Sequence, residues 1–293
     1  MTIRDIIIKY SKELEEISDT PRLDVELFLQ KVLGGVDRIY IHLNLNKELT
    51  DEQRNEFMQY INDRINGRPV AYIVGNREFM GLDFFVKEGV LIPRPDTETL
   101  VEEMIDLCKN KKEEIKILDI GTGSGAITVS LAKYIENSKI TSFDISEIPL
   151  EVGKINAINN QVDKKIEFVK SDVFSAIKDT NIKFDVIVSN PPYIPRKDIE
   201  DLHTQVKDYE PYNALEGGED GLDFYRQITR ESVDYIKQDG ILAYEVGHDQ
   251  AEDVARIMEN YGYTKIYKKK DIQGIDRVVI GFKLWYNQRI DIY

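Results

Sequence analysis

Apolar residues near the N-terminus recur at helical spacing. Ile3, Ile7, Tyr10, Leu14 and Ile17 fall three or four residues apart, which predicts one buried helix face over Thr2–Ile17. Thr20-Pro21 joins an N-cap residue to proline at the first helical position, and Leu23, Leu27 and Val32-Leu33 carry a second helix to Gly34-Gly35. A short third helix is expected over Val36–Leu43. Thr50 and Gln53 stand at capping-box spacing and open a fourth, with Phe57, Met58, Ile61 and Ile65 on one face and Gly67 near its end.

Between Tyr72 and Ile92 the helical period is lost. The run Glu78–Val86 is aromatic with turn residues inside it, which predicts a β-hairpin. After Pro93-Arg94-Pro95 a helix is expected over Thr97–Leu107, with Leu100, Met104 and Leu107 on one side. Beyond Ile115 the short β-rich runs Lys116–Leu118, Lys139–Phe143, Ile166–Val169, Phe184–Val188 and Ile241–Glu245 alternate with helical stretches such as Ala126–Tyr134 and Leu222–Ile236. Such alternation predicts βαβ units and a mostly parallel, twisted sheet. Tyr263–Lys268 and Arg277–Leu284, joined through Gln273-Gly274, read as a closing antiparallel pair. The expected organisation is a helical domain over residues 1–72, a connecting hairpin over 73–92 and an α/β domain over 93–293.

Charge narrows the partners. The 293 residues carry 39 Lys plus Arg against 53 Asp plus Glu, a net charge of −14, and both halves of the chain are negative. Attachment to a phosphate backbone usually needs a basic surface, so nucleic acid is not an expected partner. A single cysteine, Cys108, excludes a disulfide framework, and the scattered His42, His203 and His248 form no ligand set, so no metal is expected. No apolar run is long enough to predict a membrane span, and the start MTIRDIII lacks a signal-peptide pattern. A cytoplasmic protein is expected. Cys108 reads as a small hydrophobe, and Lys268-Lys269-Lys270 as a solvated strand end.

Candidate chemistry begins at the first strand of the α/β region. Asp119-Ile120-Gly121-Thr122-Gly123-Ser124-Gly125 sits where that strand turns into a helix, and its glycines let the backbone pass close to a ligand. The spacing is G-x-G-x-G, shorter than the dinucleotide fingerprint, and Asp119 precedes it. A carboxylate there suits an ammonium-bearing ligand and repels a diphosphate, which points to S-adenosylmethionine. Asp144 ends the second strand, where a carboxylate accepts from ribose hydroxyls. Asp172 follows the third strand, in a position to accept from an adenine amino group.

After the fourth strand comes Ser189-Asn190-Pro191-Pro192-Tyr193. Methylating an amide or aromatic amino nitrogen is difficult because its lone pair is delocalised. The Asn190 side-chain carbonyl and the Pro191 backbone carbonyl offer two acceptors for the two N–H bonds of an NH₂ group. Pro191 and Pro192 fix φ and remove backbone donors, and Tyr193 supplies a flat face for stacking. No strong general base is needed, because the proton can leave after nitrogen becomes cationic.

These motifs resemble those of the HemK/PrmC-type peptide chain release factor glutamine methyltransferases. The likeness extends through Arg68-Pro69, Ala71-Tyr72-Ile73, Glu78-Phe79, Leu91–Glu98, Leu118–Gly125, Asp144, Ser171-Asp172 and Ser189–Ile194. It continues through Glu210-Pro211, Gly217-Gly218, Asp220-Gly221-Leu222, Glu245-Val246-Gly247 with Gln250, and Asp276-Arg277. The resemblance implies a Rossmann-like class I methyltransferase sheet, mostly parallel with an antiparallel last strand, behind a small N-terminal helical domain and a β-hairpin. It implies methyl transfer from S-adenosylmethionine, leaving S-adenosylhomocysteine, to the glutamine side chain of the Gly-Gly-Gln loop of class I release factors. Asp119, Gly121, Thr122, Gly123, Ser124, Gly125, Asp144, Asp172, Val173 and Asn190 would then face the cofactor. Asn190, Pro191, Pro192 and Tyr193 would grip the amide. Many members carry an aromatic residue where Val173 stands, so adenine would meet an apolar wall there. Arg94, Thr97 and Glu98 fit either the rim of the site or a helix start. A nucleic-acid amino (adenine N6-type) methyltransferase shares the Asn-Pro-Pro-Tyr pattern, and a non-catalytic cofactor-binding module is the remaining alternative.

Overall fold

A computed structural model describes residues 1–284. Contacts divide them into two units, Met1–Asn76 with His203–Tyr209, and Arg77–Leu202 with the chain from Glu210 onward.

In the first unit Thr2 opens α1 (Ile3–Glu13), its hydroxyl accepting from the Asp5 N–H while the Asp5 carboxylate accepts from the Thr2 N–H. Then come α2 (Pro21–Val32), α3 (Arg38–Leu43), α4 (Asp51–Ile65) and the short α5 (Val70–Val74). The Thr50–Gln53 capping box forms as expected. Thr20 precedes α2, but its backbone is not extended, and its hydroxyl donates to the Asp24 carboxylate rather than capping an N–H. The buried face of α2 is Val25, Phe28, Leu29 and Val32, whereas Leu23 and Ile65, both expected inside, are exposed. The reason is a buried ion pair, Asp24 to Arg64 of α4 at 2.8 Å, which turns Asp24 inward among these apolar side chains.

In the second unit β1 (Asn76–Phe79) and β2 (Leu82–Phe85) form the hairpin, and α6 (Pro95–Cys108) follows. The α/β core then runs β3 (Ile115–Ile120), α7 (Ala126–Tyr134), β4 (Ser138–Asp144), α8 (Glu147–Asn159), β5 (Ile166–Lys170) and β6 (Phe184–Ser189). The chain after β6 carries α9 (Thr204–Lys207), which belongs to the first unit, where the Tyr209 hydroxyl donates to the Asn66 carbonyl. The second unit closes with α10 (Asp223–Ser232), β7 (Ile236–Glu245), α11 (Ala251–Asn260), β8 (Thr264–Lys270) and β9 (Asp276–Phe282).

The large sheet has the order β5-β4-β3-β6-β7-β9-β8. Strands β3 to β7 run parallel to one another, and β9 lies antiparallel between β7 and β8. Helices α6 and α7 cover one face through Leu100, Met104, Ile127 and Leu131, and α10 and α11 cover the other through Tyr225, Ile228, Val254 and Met258. The Lys268–Lys270 run pairs with Glu252, Glu103 and Asp276. Among the described residues no helix is long and apolar enough to cross a membrane.

Candidate active site

The chain leaves β3 in one direction, to β4 and β5, and returns to the opposite side of β3 as β6. A crevice opens beyond the carboxyl ends of the strands at such a reversal. Strands β3 and β6 pair from Ile117↔Val186 to Ile120↔Ser189, so the glycine loop and the Asn190 loop emerge side by side. The Ser189 hydroxyl donates to the Ile120 carbonyl at 2.7 Å and pins the two exits together. A Cβ on Gly121 would lie 3.8 Å from the Asn190 carbonyl oxygen.

Beyond these strand ends lies a cavity of about 320 Å³, within the range of small-molecule sites. Gly121, Thr122, Gly123 and Ser124 line it, with Asp144, Asp172, Val173, Asn190, Pro191 and Pro192. Gly121, Gly123 and Gly125 all have positive φ (94°, 54° and 80°), and a Cβ on Gly125 would lie 3.0 Å from Gly153 of α8. Asn156 of α8 braces the turn, donating to the Ser124 and Phe85 carbonyls at 2.8 and 2.9 Å.

Asp119 lies outside the cavity lining. Strand alternation gives it the face of Ile117, towards α7, where its carboxylate accepts from the Thr128 hydroxyl and, at 3.1 Å, from Ser142. It is fully buried, its Oδ1 has no partner, and burial pushes its pKa up to about 7. Asp144 does reach the cavity. One carboxylate oxygen accepts from the Gly123 N–H at 3.2 Å and the other from Ser146 at 2.9 Å, while burial raises its pKa. Asp172 is an exposed residue on the same wall. Val173 is buried with φ of 46°, a left-handed conformation rare for a β-branched residue, and the Ser171 hydroxyl donates to its carbonyl at 2.7 Å.

The Asn190 amide nitrogen donates to the Thr97 hydroxyl oxygen at 3.3 Å, which leaves Oδ1 on the opposite side of the amide. Pro191 is buried, and its carbonyl has no donor among the described residues. The Tyr193 ring, expected as a stacking face, lies outside the cavity lining. It packs with the α10–α11 side of the core, where a Cβ on Gly247 would lie 3.4 Å from it, and burial lifts its hydroxyl to about 12. Gln250 holds the Tyr193 backbone carbonyl at 2.9 Å, and a Cβ on Gly217 would collide with the Pro192 carbonyl at 2.6 Å.

Arg94 and Thr97 line the cavity, whereas Glu98 accepts from the Met80 N–H at 2.7 Å and ties the hairpin turn to α6. Arg94 pairs with buried Glu210 at 2.5 Å, and Glu210 is raised by burial against the pull of Arg94. Two residues without a role in the sequence reading stand behind Asn190. Glu245, at the end of β7, is 2% exposed, and Arg277 of β9 bonds Asp96 and Asp271 at 3.2 Å each. The available signal for Glu245 was a carboxylate closing an apolar strand directly before Val246-Gly247. Among the described residues no group of three or more His, Cys, Asp or Glu could hold a metal ion.

A seven-stranded sheet with one antiparallel insertion, and a glycine-lined cavity at its switch point, define an α/β methyltransferase. The crystal structure of a methyltransferase from Pyrococcus furiosus shares the fold, at 20% identity and TM-score 0.52, covering 80% of this chain and 100% of that one. Residues 5–75 match the PrmC N-terminal domain, and residues 95–206 match the methyltransferase small domain. The release factor glutamine methyltransferase of Clostridium acetobutylicum is 41% identical over 97% of this chain and 99% of its own length. That of Clostridium botulinum is 40% identical over 95% and 98%. The chain belongs to the release factor glutamine methyltransferase family.

Proposed function

We propose that this protein methylates the side-chain amide nitrogen of the glutamine in the Gly-Gly-Gln motif of class I peptide chain release factors, using S-adenosylmethionine. The observation that carries the reading is that Asn190 and Pro191 line one cavity with the glycine loop and Asp144, with the Asn190 amide nitrogen bonded to Thr97. When bound, S-adenosylmethionine supplies an electrophilic methyl group. The residues present fit it. The bare Gly123 position has open space around a would-be Cβ, Asp144 offers a carboxylate at the strand end, and Val173 offers an apolar wall.

In this reading Gly121–Gly125 and Asp144 hold the cofactor, with Asp172 and Val173 on the adenine side. Asp119 contributes from behind the loop, through the negative charge its buried carboxylate carries when ionised. Asn190 Oδ1 and the Pro191 carbonyl accept the two N–H bonds of the substrate amide. Acceptance strengthens as those hydrogens become more acidic, so both carbonyls bind the developing charge better than the ground state. Pro192 and Tyr193 act by rigidity, since Gln250 and the close approach of Gly217 hold their backbone. Residues 1–72 form the module that docks the release factor, 73–92 connect, and 93–293 transfer the methyl group. Nucleic acid is not a partner in this reading, in keeping with the net charge of −14.

The test is transfer of labelled methyl groups to a purified release factor, to its Gln→Ala variant in the Gly-Gly-Gln loop, and to DNA. Label is expected on the first alone. Label on DNA instead would favour the nucleic-acid reading.

A further inference from the structure

Glu245 is buried beside the cavity without lining it, and its Oε2 has no hydrogen-bond partner. The groups facing it come from four elements. They are Thr97 and Asp96 of α6, Asn190 and Tyr193 after β6, Tyr225 of α10, and Arg277 of β9. Tyr225 donates to its backbone carbonyl at 2.9 Å, while Thr97 and Asn190 face its carboxylate.

A carboxylate only accepts. Facing the Glu245 carboxylate, the Thr97 hydroxyl has an acceptor for its proton, and its oxygen keeps a lone pair for another group. The Asn190 amide nitrogen takes that lone pair at 3.3 Å. A carboxamide carries donor and acceptor on opposite arms, so a nitrogen committed to Thr97 sends Oδ1 the other way. The flipped amide would set Oδ1 against an oxygen whose proton is already engaged.

We propose that Glu245, acting through Thr97, is a positioning residue that selects the orientation of the Asn190 carboxamide in which Oδ1 is available to the amide being methylated. The inference rests on the role given to Asn190 under the proposed function. It has a pH consequence. Protonated Glu245 donates to Thr97, the Thr97 proton is free to bond Oδ1, and the flipped Asn190 then presents N–H to N–H. Burial lifts the Glu245 pKa to about 7, with Thr97, Arg277 and Asn190 opposing the rise, so the exchange falls near neutrality.

The test uses the full chain, Glu245→Gln, Thr97→Val and Thr97→Ser. Methyl transfer to a release factor is followed across the neutral range, alongside melting temperature. Glu245→Gln and Thr97→Val are expected to lose about 10- to 100-fold in kcat with little change in KM for the cofactor, while Thr97→Ser retains activity. The parent's kcat should fall on the acid side of neutrality, and Glu245→Gln should lack that limb. Combined with Asn190→Ala, Glu245→Gln should cost nothing further, whereas a merely structural role gives the same fold-loss in both backgrounds. Parent-like kcat in Glu245→Gln, or additive losses, overturns the proposal. A parent chain that labels no release factor would overturn the substrate reading instead. The positioning role is then read from the Asn190 side-chain ¹⁵N–¹H signals, expected to shift with pH in the parent and to stay fixed in Glu245→Gln. Shifts in both, or in neither, would overturn it.

Discussion

Asn190 and Asp144 line the same cavity from the exits of β6 and β4, on either side of β3, yet their substitutions should separate. Asn190 Oδ1 acts on the amide only as its N–H bonds acidify, so Asn190→Ala should lower kcat by about 10²- to 10³-fold. Cofactor affinity, measured by calorimetric titration, should change much less. Asp144 belongs to binding. Its carboxylate already accepts from Gly123 and Ser146, and Asp144→Ala should weaken cofactor binding by about 1.5–3 kcal/mol. Unchanged calorimetric affinity would remove Asp144 from the cofactor site. Both residues were legible because a strand-end acid and a strand-end Asn-Pro-Pro-Tyr carry their chemistry in local order. The positions of Asp119 and Tyr193 relative to the cavity were not. A one-residue difference in strand phase decides which face a side chain takes, and a motif does not reveal which loop folds back over which core.

Elements matter through the way α8 presses on the glycine turn. Gly153 lets this happen, since an added Cβ would stand 2.6 Å from the Phe168 ring and 2.9 Å from the Thr122 methyl group. Gly153→Ala should therefore cost about 1–3 kcal/mol of stability as an overpacking change. It should also weaken cofactor binding, because relief moves α8 away from Thr122. Calorimetric unfolding and ligand titration measure the two effects, and loss of stability with intact binding would show that the turn holds without α8. The βα alternation is readable from period and punctuation, but the apolar run Ile241–Glu245 understates β7. Gln238-Asp239-Gly240 looks like a turn, yet β7 runs through it, with Asp239 at φ of 57° and a register shift against β6. The helix before it accordingly ends at Ser232 and not at Ile236. The joining of His203–Tyr209 to the helical unit was also beyond reach, because it rests on contacts far apart in the chain, such as Tyr209 with Asn66.

For the whole molecule, buried acids and surface acids bend stability in opposite directions with pH. Asp5, Asp106, Glu147 and Asp220 are held below their ordinary values by Thr2, Lys109, Lys170 and Arg226, so their contribution is lost only as pH falls into the acid range. Asp119, Asp144, Glu210 and Glu245 are raised by burial. For Asp119 the ordinary value is 3.8 and the folded value about 7. Between these limits the folded protein keeps a proton that the unfolded chain has released. Stability therefore falls as pH rises through that window and levels off above it. The ligand-free protein should melt at a higher temperature in mildly acidic buffer than in mildly alkaline buffer. Asp119→Asn isolates one contributor. Its carbonyl can still accept from Thr128 and Ser142, while its amide nitrogen takes the place of the unpartnered Oδ1 and carries a penalty independent of pH. The decline in melting temperature from acid to alkaline buffer should thus be shallower in Asp119→Asn than in the parent, whatever the offset between them. Parallel declines would mean that Asp119 is ionised throughout, its charge met by the Thr128 and Ser142 hydroxyls alone.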